Sequence, residues 1–308
     1  MKTGFIFPGQ GSQSVGMLSE LAETNPIIEK TYAEASEALG YDLWNLVKNG
    51  PESDLNSTDR TQPALLAAGV SVWRVLSTEL TQKPSVLAGH SLGEYTALVC
   101  AGALDFQDGV SLVADRGRFM QDAVPVGEGA MAAILGLDDV VVADICSSTS
   151  DQNDGLVSCA NFNSPGQIVI AGTASTVNKA IEALKEAGAK RAVLLPVSVP
   201  SHCPLMLPAA EALKDRLDSI TIKALEIPVV HNVDADMRSK PEDIKQALID
   251  QLHKPVRWVD VIKAVSQGSD QIIECGPGKV LSGLTKRIDR QLICHPVFDS
   301  ASLEKAIS

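Results

Sequence analysis

At 308 residues the chain exceeds the usual size of one domain, so one large domain, or a large domain with a smaller companion, is expected. Hydrophobic residues make up 45%, charged residues 21% and aromatics 4%, which describes a globular protein with an aliphatic core and argues against disorder. The formal net charge of −12 argues against general nucleic-acid binding and against docking on anionic membranes, since both need a basic face.

Residues 4–7 read as a first strand, followed by a Pro-Gly loop; the apolar run is too short for a signal peptide. Helical periodicity follows over 26–39 and 63–80, then a second short strand at 85–88 and helices at 92–103 and 107–121. Strands alternating with helices imply a mainly parallel sheet covered on both faces. The middle of the chain changes rhythm: strand 130–135, helix 138–148, strand 156–161, a turn at 163–166, strand 167–171, helix 173–187 closed by Gly188, and strand 191–195. That order, β-α-β-β-α-β, is the ferredoxin-like plan. The expected organisation is a large α/β domain built from residues 1–124 and 198–308, with a small ferredoxin-like domain inserted over 125–197.

The longest apolar candidate for a membrane span, 192–210, is broken by Pro196, Pro200, Pro204 and Pro208, so no spanning helix is expected. Six cysteines occur without a C-x-x-C pair, so neither a metal site nor a disulfide framework is expected. A reducing, cytoplasmic setting fits these features best.

Gly89-His90-Ser91-Leu92-Gly93 matches G-x-S-x-G between a strand-like run and a helical pattern. The chemistry needs that placement: a sharp strand-to-helix turn exposes the serine hydroxyl above the sheet, and the helix N-terminus offers N–H donors to a developing oxyanion. A serine also needs a base within hydrogen-bond reach. His90 is next in sequence and its side chain is expected to point away. His231 ends the apolar run 227–230, where a parallel strand presents side chains to a cleft. His202 sits in a loop stiffened by Pro200 and Pro204, which suits a pre-positioned group. The pattern favours His202 over His231 and leaves both open. Cys203 has no base nearby except His202 and reads as a packed thiol.

On a helix Arg116 has Leu112 and Val113 one turn before it and Phe119 and Met120 one turn after, all apolar. A guanidinium on a buried stripe requires an anion. An internal salt bridge satisfies that need, and so does a bidentate socket for a ligand carboxylate. Arg118, flanked by Asp115 and Asp122, reads as a surface charge. The Gly-rich loop after the first strand, Pro8 to Gln13, lacks the third glycine of a dinucleotide fingerprint, because Ser14 stands there. It reads as a loop offering a backbone N–H to an oxyanion.

Together these segments resemble the malonyl-CoA:acyl-carrier-protein transacylases of dissociated (type II) fatty-acid synthesis. The resemblance covers essentially the whole chain: FPGQGSQ (7–13), TQPA (61–64), GHSLGEY (89–95), RGRFMQ (116–121), NFNSPGQIVIAG (161–172), PVSVPSHC (196–203), QLHKPVRW (251–258) and GPGKVLSGLTKR (276–287). It implies a hydrolase-like α/β core with a ferredoxin-like insert. It implies Ser91 as nucleophile, His202 as its base, and the backbone carbonyl of Gln251 as the group orienting His202. Gln10 and Leu92 would supply the oxyanion N–H groups, and Arg116 would grip the free malonyl carboxylate. Ser201 precedes His202 where many malonyl-selective modular acyltransferases carry Phe, although discrete transacylases commonly have this serine. The implied reaction is ping-pong transfer from malonyl-CoA to the phosphopantetheine thiol of acyl carrier protein, with no metal or other cofactor, by a monomer. The rival readings are an esterase or thioesterase, which uses water as acceptor, and a binding module, which forms no covalent intermediate. Because carrier proteins are acidic, a local basic surface is expected from Lys190, Arg191, Lys279, Lys286, Arg287 and Arg290.

Overall fold

The computed structural model describes residues 2–80, 82–152, 155–197 and 199–307. Ser198, at the expected boundary between the insert and the larger domain, lies outside the described residues. The strands in chain order are β1 (Thr3–Phe7), β2 (Val86–Gly89), β3 (Gly129–Leu135), β4 (Val157–Ser164), β5 (Gln167–Thr173), β6 (Arg191–Leu194), β7 (Val229–Val230), β8 (Gln271–Cys275) and β9 (Ile293–Val297).

Five of them form a parallel sheet in the order β7-β2-β1-β8-β9. The central strand β1 shows why the sequence folds this way. Successive side chains of a strand point to opposite faces. Phe5 and Phe7 accordingly join one core with Ala64, Leu65 and Ala68 of the helix Thr58–Ser77, while Ile6 joins a second core with Ala88, Val230 and Trp258. Both faces of the sheet are thus covered, which a continuous apolar strand requires. The register Phe7↔Gly89 aligns the ends of β1 and β2, so the chain leaves both strands at the same edge of the sheet.

The remaining four strands form an antiparallel sheet in the order β4-β5-β3-β6, on which the helices Asp139–Asp151 (Val142, Cys146) and Ala174–Glu186 (Val177, Leu184) pack against Ile134, Ile168 and Ile170. The chain is therefore α/β with a mainly parallel sheet and a small antiparallel one. The two are stitched together by Val256, whose N–H donates to Ala160 O at 2.9 Å and whose carbonyl accepts from Phe162 N at 2.9 Å. Among the described residues no helix is long and apolar enough to cross a membrane.

Two sequence expectations shift. The helix expected to begin at Pro63 begins at Thr58, with Ser57 in an extended conformation before it. Pro63 lies one turn in, where its missing N–H costs a single hydrogen bond and the buried face formed by Ala64, Leu65 and Ala68 outweighs it. The helix expected over 92–103 spans only Gly93–Cys100, because Gly102 takes a left-handed conformation (φ 76°) and turns the chain.

Candidate active site

The turn after β2 is built by exclusion. A Cβ at Gly93 would stand 2.1 Å from the Phe7 carbonyl oxygen, and one at Gly89 would stand 1.9 Å from the carbonyl carbon of Gly93. Only glycine lets the backbone pass so closely. Ser91, between them, is forced to φ 52°, a left-handed conformation that costs a serine on the order of 1 kcal/mol or more. Asn232, just past β7, holds the corner from behind: its Oδ1 accepts from Ser91 N at 2.7 Å and its Nδ2 donates to Gly89 O at 2.7 Å.

The structure brings His202, not His231, to the serine. Ser91 Oγ lies 2.7 Å from His202 Nε2, and His202 Nδ1 lies 2.6 Å from the backbone carbonyl of Gln251. A carbonyl only accepts, so Nδ1 carries the proton and Nε2 is left as the acceptor for the serine hydroxyl. His202 too is left-handed (φ 61°), and its N–H is tied to Leu252 O at 3.0 Å. The imidazole is buried at 3% exposure, and burial first, then the Arg116 guanidinium, pushes its pKa down to about 3. It is neutral at physiological pH and free to take a proton.

Arg116 projects from the helix Phe106–Asp122 into the same place at 1% exposure. Its Nη1 donates to Gln62 Oε1 at 2.7 Å, and its Nη2 donates to Gln251 Oε1 at 2.9 Å and to Ser91 Oγ at 3.3 Å. All three partners are neutral. Among the described residues Arg116 has no ion pair, and its Nε has no partner at all. The internal salt bridge considered for it is absent, leaving a buried cation whose charge is not neutralised by contact.

A cavity of about 300 Å³ between the two sheets holds these groups. Gln10, Ser91, Leu92, Arg116 and His202 line one wall, and Met131 and Val169 of the small sheet, with Leu195 just past β6, line the other. Among the described residues the backbone N–H groups of Gln10 and Leu92 have no hydrogen-bond partner. His90 turns away, as expected: its Nε2 meets Asn163 Oδ1 at 2.8 Å and its ring packs edge-on to Trp258 at 5.2 Å. His231 is fully buried, with Nδ1 2.7 Å from Glu94 Oε1, behind the serine and away from the cavity. Cys203 is a packed thiol, its Sγ 3.1 Å from Pro200 O.

Four contributors were not singled out from the sequence: Gln62, Glu94, Asn232 and the side chain of Gln251. Gln62 and Glu94 have apolar residues one turn after them (Leu65 and Leu66, Ala97 and Leu98) but polar ones before, half of the signal that marks Arg116. Asn232 carries no such signal.

The Ser91–His202 pair on a strand-to-helix turn is the arrangement of a serine acyl-transfer centre, whether the acceptor is water or a thiol. The chain belongs to the family described as acyl transferase domain, whose model matches residues 4–290. It is an acyltransferase. The chain is 53% identical over 305 residues to the malonyl CoA-acyl carrier protein transacylase of Salmonella typhimurium, covering 99% of this chain and 98% of that protein. It is 48% identical over 307 residues to the protein of the same name from Bacillus subtilis, covering 99% and 96%. Among solved structures, an acyl carrier protein S-malonyltransferase from Vibrio cholerae superposes with a TM-score of 0.96 at 55% identity, covering 99% of this chain and 100% of that one. A malonyl-transacylase solved in complex with a type II PKS acyl-carrier protein superposes with a TM-score of 0.97 at 51% identity, covering 100% and 99%.

Proposed function

We propose that the protein transfers the malonyl group from malonyl-CoA to the phosphopantetheine thiol of acyl carrier protein through an ester on Ser91, supplying extender units for fatty-acid synthesis. The observation that carries this reading is the buried Arg116 guanidinium, held only by neutral partners, 3.3 Å from the serine oxygen. A cation left uncompensated beside a nucleophile selects an acyl group that brings its own anion.

The steps follow from the contacts. His202 Nε2 accepts the Ser91 Oγ proton as the oxygen attacks the thioester carbonyl. The oxyanion is stabilised by the free N–H groups of Gln10 and Leu92, and the malonyl carboxylate by Arg116. Collapse expels the CoA thiolate, which takes the proton from His202. The carrier thiol then gives its proton to Nε2 and attacks the ester; Ser91 leaves as alkoxide and recovers the proton. None of these steps calls for a metal or redox cofactor. The Gln251 carbonyl keeps Nδ1 protonated and stabilises the imidazolium, the task a carboxylate performs in a triad.

The order β4-β5-β3-β6, with a β-α-β-β-α-β connection, supports a ferredoxin-like small domain over 125–197 inserted into a hydrolase-like large domain of 1–124 and 198–308. The setting is cytoplasmic and the working unit a monomer. The six basic residues expected to meet the carrier protein are all exposed. Arg287 Nη1 donates to Gln167 Oε1 at 2.7 Å, and Gln167 lines the cavity. Leu135 pairs with Gln167 on one side and Arg191 on the other, so Arg191 and Arg287 lie at the same end of the small sheet, beside the cavity-lining Gln167.

Intact-mass analysis after mixing with malonyl-CoA tests the reading. A malonyl adduct is expected on the wild type and none on Ser91→Ala, with discharge to a thiol faster than to water. No adduct at Ser91, or discharge to water alone, would overturn it.

A further inference from the structure

Behind the serine lies a carboxylate that the proposed transfer does not use. Glu94 is fully buried in the first turn of the helix Gly93–Cys100. Its Oε1 meets His231 Nδ1 at 2.7 Å, and its Oε2 accepts from Asn232 N at 2.9 Å and from Gln251 Nε2 at 2.8 Å. Two of these three partners touch the reacting groups: Asn232 clamps the Ser91 corner, and Gln251 holds both His202 and Arg116.

The decisive element is the Gln251 carboxamide. An amide has one end that accepts and one that donates. A carboxylate at position 94 accepts only, so the Nε2 end must face it. That same nitrogen also donates to Ser91 O at 3.0 Å. The Oε1 end is thereby left to face Arg116, where it accepts from Nη2 at 2.9 Å. Reversed, the amide would put N–H groups against a guanidinium. The carboxylate therefore fixes, through one neutral amide, where the guanidinium sits. Because the link is neutral, the positive charge of Arg116 is kept for the ligand and not neutralised by direct pairing.

We infer that Glu94 is a positioning residue for acyl-group selection, acting on Arg116 through Gln251, and not merely a buried structural carboxylate. The inference rests on the proposed malonyl transfer. The two fail separately, since a wild type that forms no malonyl ester defeats that reading whatever the variants do.

The test is a double-mutant cycle read in kcat/KM for malonyl-CoA and for acetyl-CoA, with thermal melts to check folding. Glu94→Gln replaces the charged acceptor of Gln251 Nε2 by a neutral one and leaves Ser91 O as its other acceptor, so the carboxamide is held less firmly, and the malonyl-over-acetyl ratio is expected to fall roughly tenfold or more. Gln251→Met keeps the backbone carbonyl on His202 and removes the amide; a similar fall in the ratio is expected. The double variant should fall no further than Gln251→Met alone. Equal losses with the two donors in Glu94→Gln, or additive losses of the ratio in the double variant, would overturn the inference. If Glu94→Gln does not fold, Glu94→Asp carries the same comparison. Its shorter carboxylate loses reach to the amide, so the ratio must still fall, and an unchanged ratio overturns the inference.

Discussion

Replacing Arg116 by alanine separates a socket for an anion from a structural cation. Hydrogen bonds to a charged partner contribute about 1.5–3 kcal/mol each, so a two-point grip on the malonyl carboxylate is worth about 3–6 kcal/mol. At about 1.4 kcal/mol per factor of ten, kcat/KM for malonyl-CoA should fall on the order of 10²–10⁴-fold. Acetyl-CoA has no carboxylate to lose, and Arg116→Ala removes a desolvated charge beside its methyl group, so acetyl transfer should hold or rise. The variant also strips a donor from Gln62 Oε1 and from Gln251 Oε1, both buried, and should melt at a lower temperature. The assay compares initial rates of Ser91 acylation with each donor at a temperature where both proteins are folded. Equal losses for malonyl and acetyl would refute the assignment and return Arg116 to a structural role.

His202→Ala should abolish acylation while leaving the fold intact, checked by intact mass and a thermal melt. The depressed pKa of His202, about 3 against an ordinary value of about 6.5, keeps the base neutral well into acid. No acid limb is expected near pH 6.5 in kcat/KM; the fall should begin well below it and move upward in Arg116→Ala. The unfolded chain binds this proton before the folded one does. The contribution of His202 to stability is therefore constant above about pH 6.5 and is lost as pH falls toward about 3, which acid-titrated melts would read. Gly93→Ala drives a methyl into the backbone oxygen of Phe7 and should cost about 3 kcal/mol or more in a denaturant melt. Charge reversal at Arg191 and Arg287 should slow discharge to carrier protein, more so at low salt, and leave loading from malonyl-CoA unchanged.

The parts legible in the sequence are those whose cause is local. Ser91 is marked by the strand, glycines and helix within five residues of it, Arg116 by its apolar neighbours at helical spacing, and the small sheet by its alternating strands and helices. Pattern alone only favours His202 over His231, because what separates them is distance. His202 reaches Ser91 across 111 residues of chain, while His231 pairs with Glu94 across 137. The same reason hid Asn232, whose partners Ser91 and Gly89 lie more than 140 residues earlier. The helix Thr58–Ser77 starts before Pro63, where local reading puts its beginning, because burial of the following face outweighs the proline.

The seam at Val256 makes the small sheet more than a cover. Only a few residues separate it from Gln251 and Leu252, whose carbonyls hold the ring and the main chain of His202. A displacement of the small sheet would therefore pull on the strap that aims the imidazole, as a peg tunes a string. Grafting in a foreign small sheet, however well it matched the incoming acyl chain, would put the proton transfer out of adjustment unless this pairing were rebuilt with it.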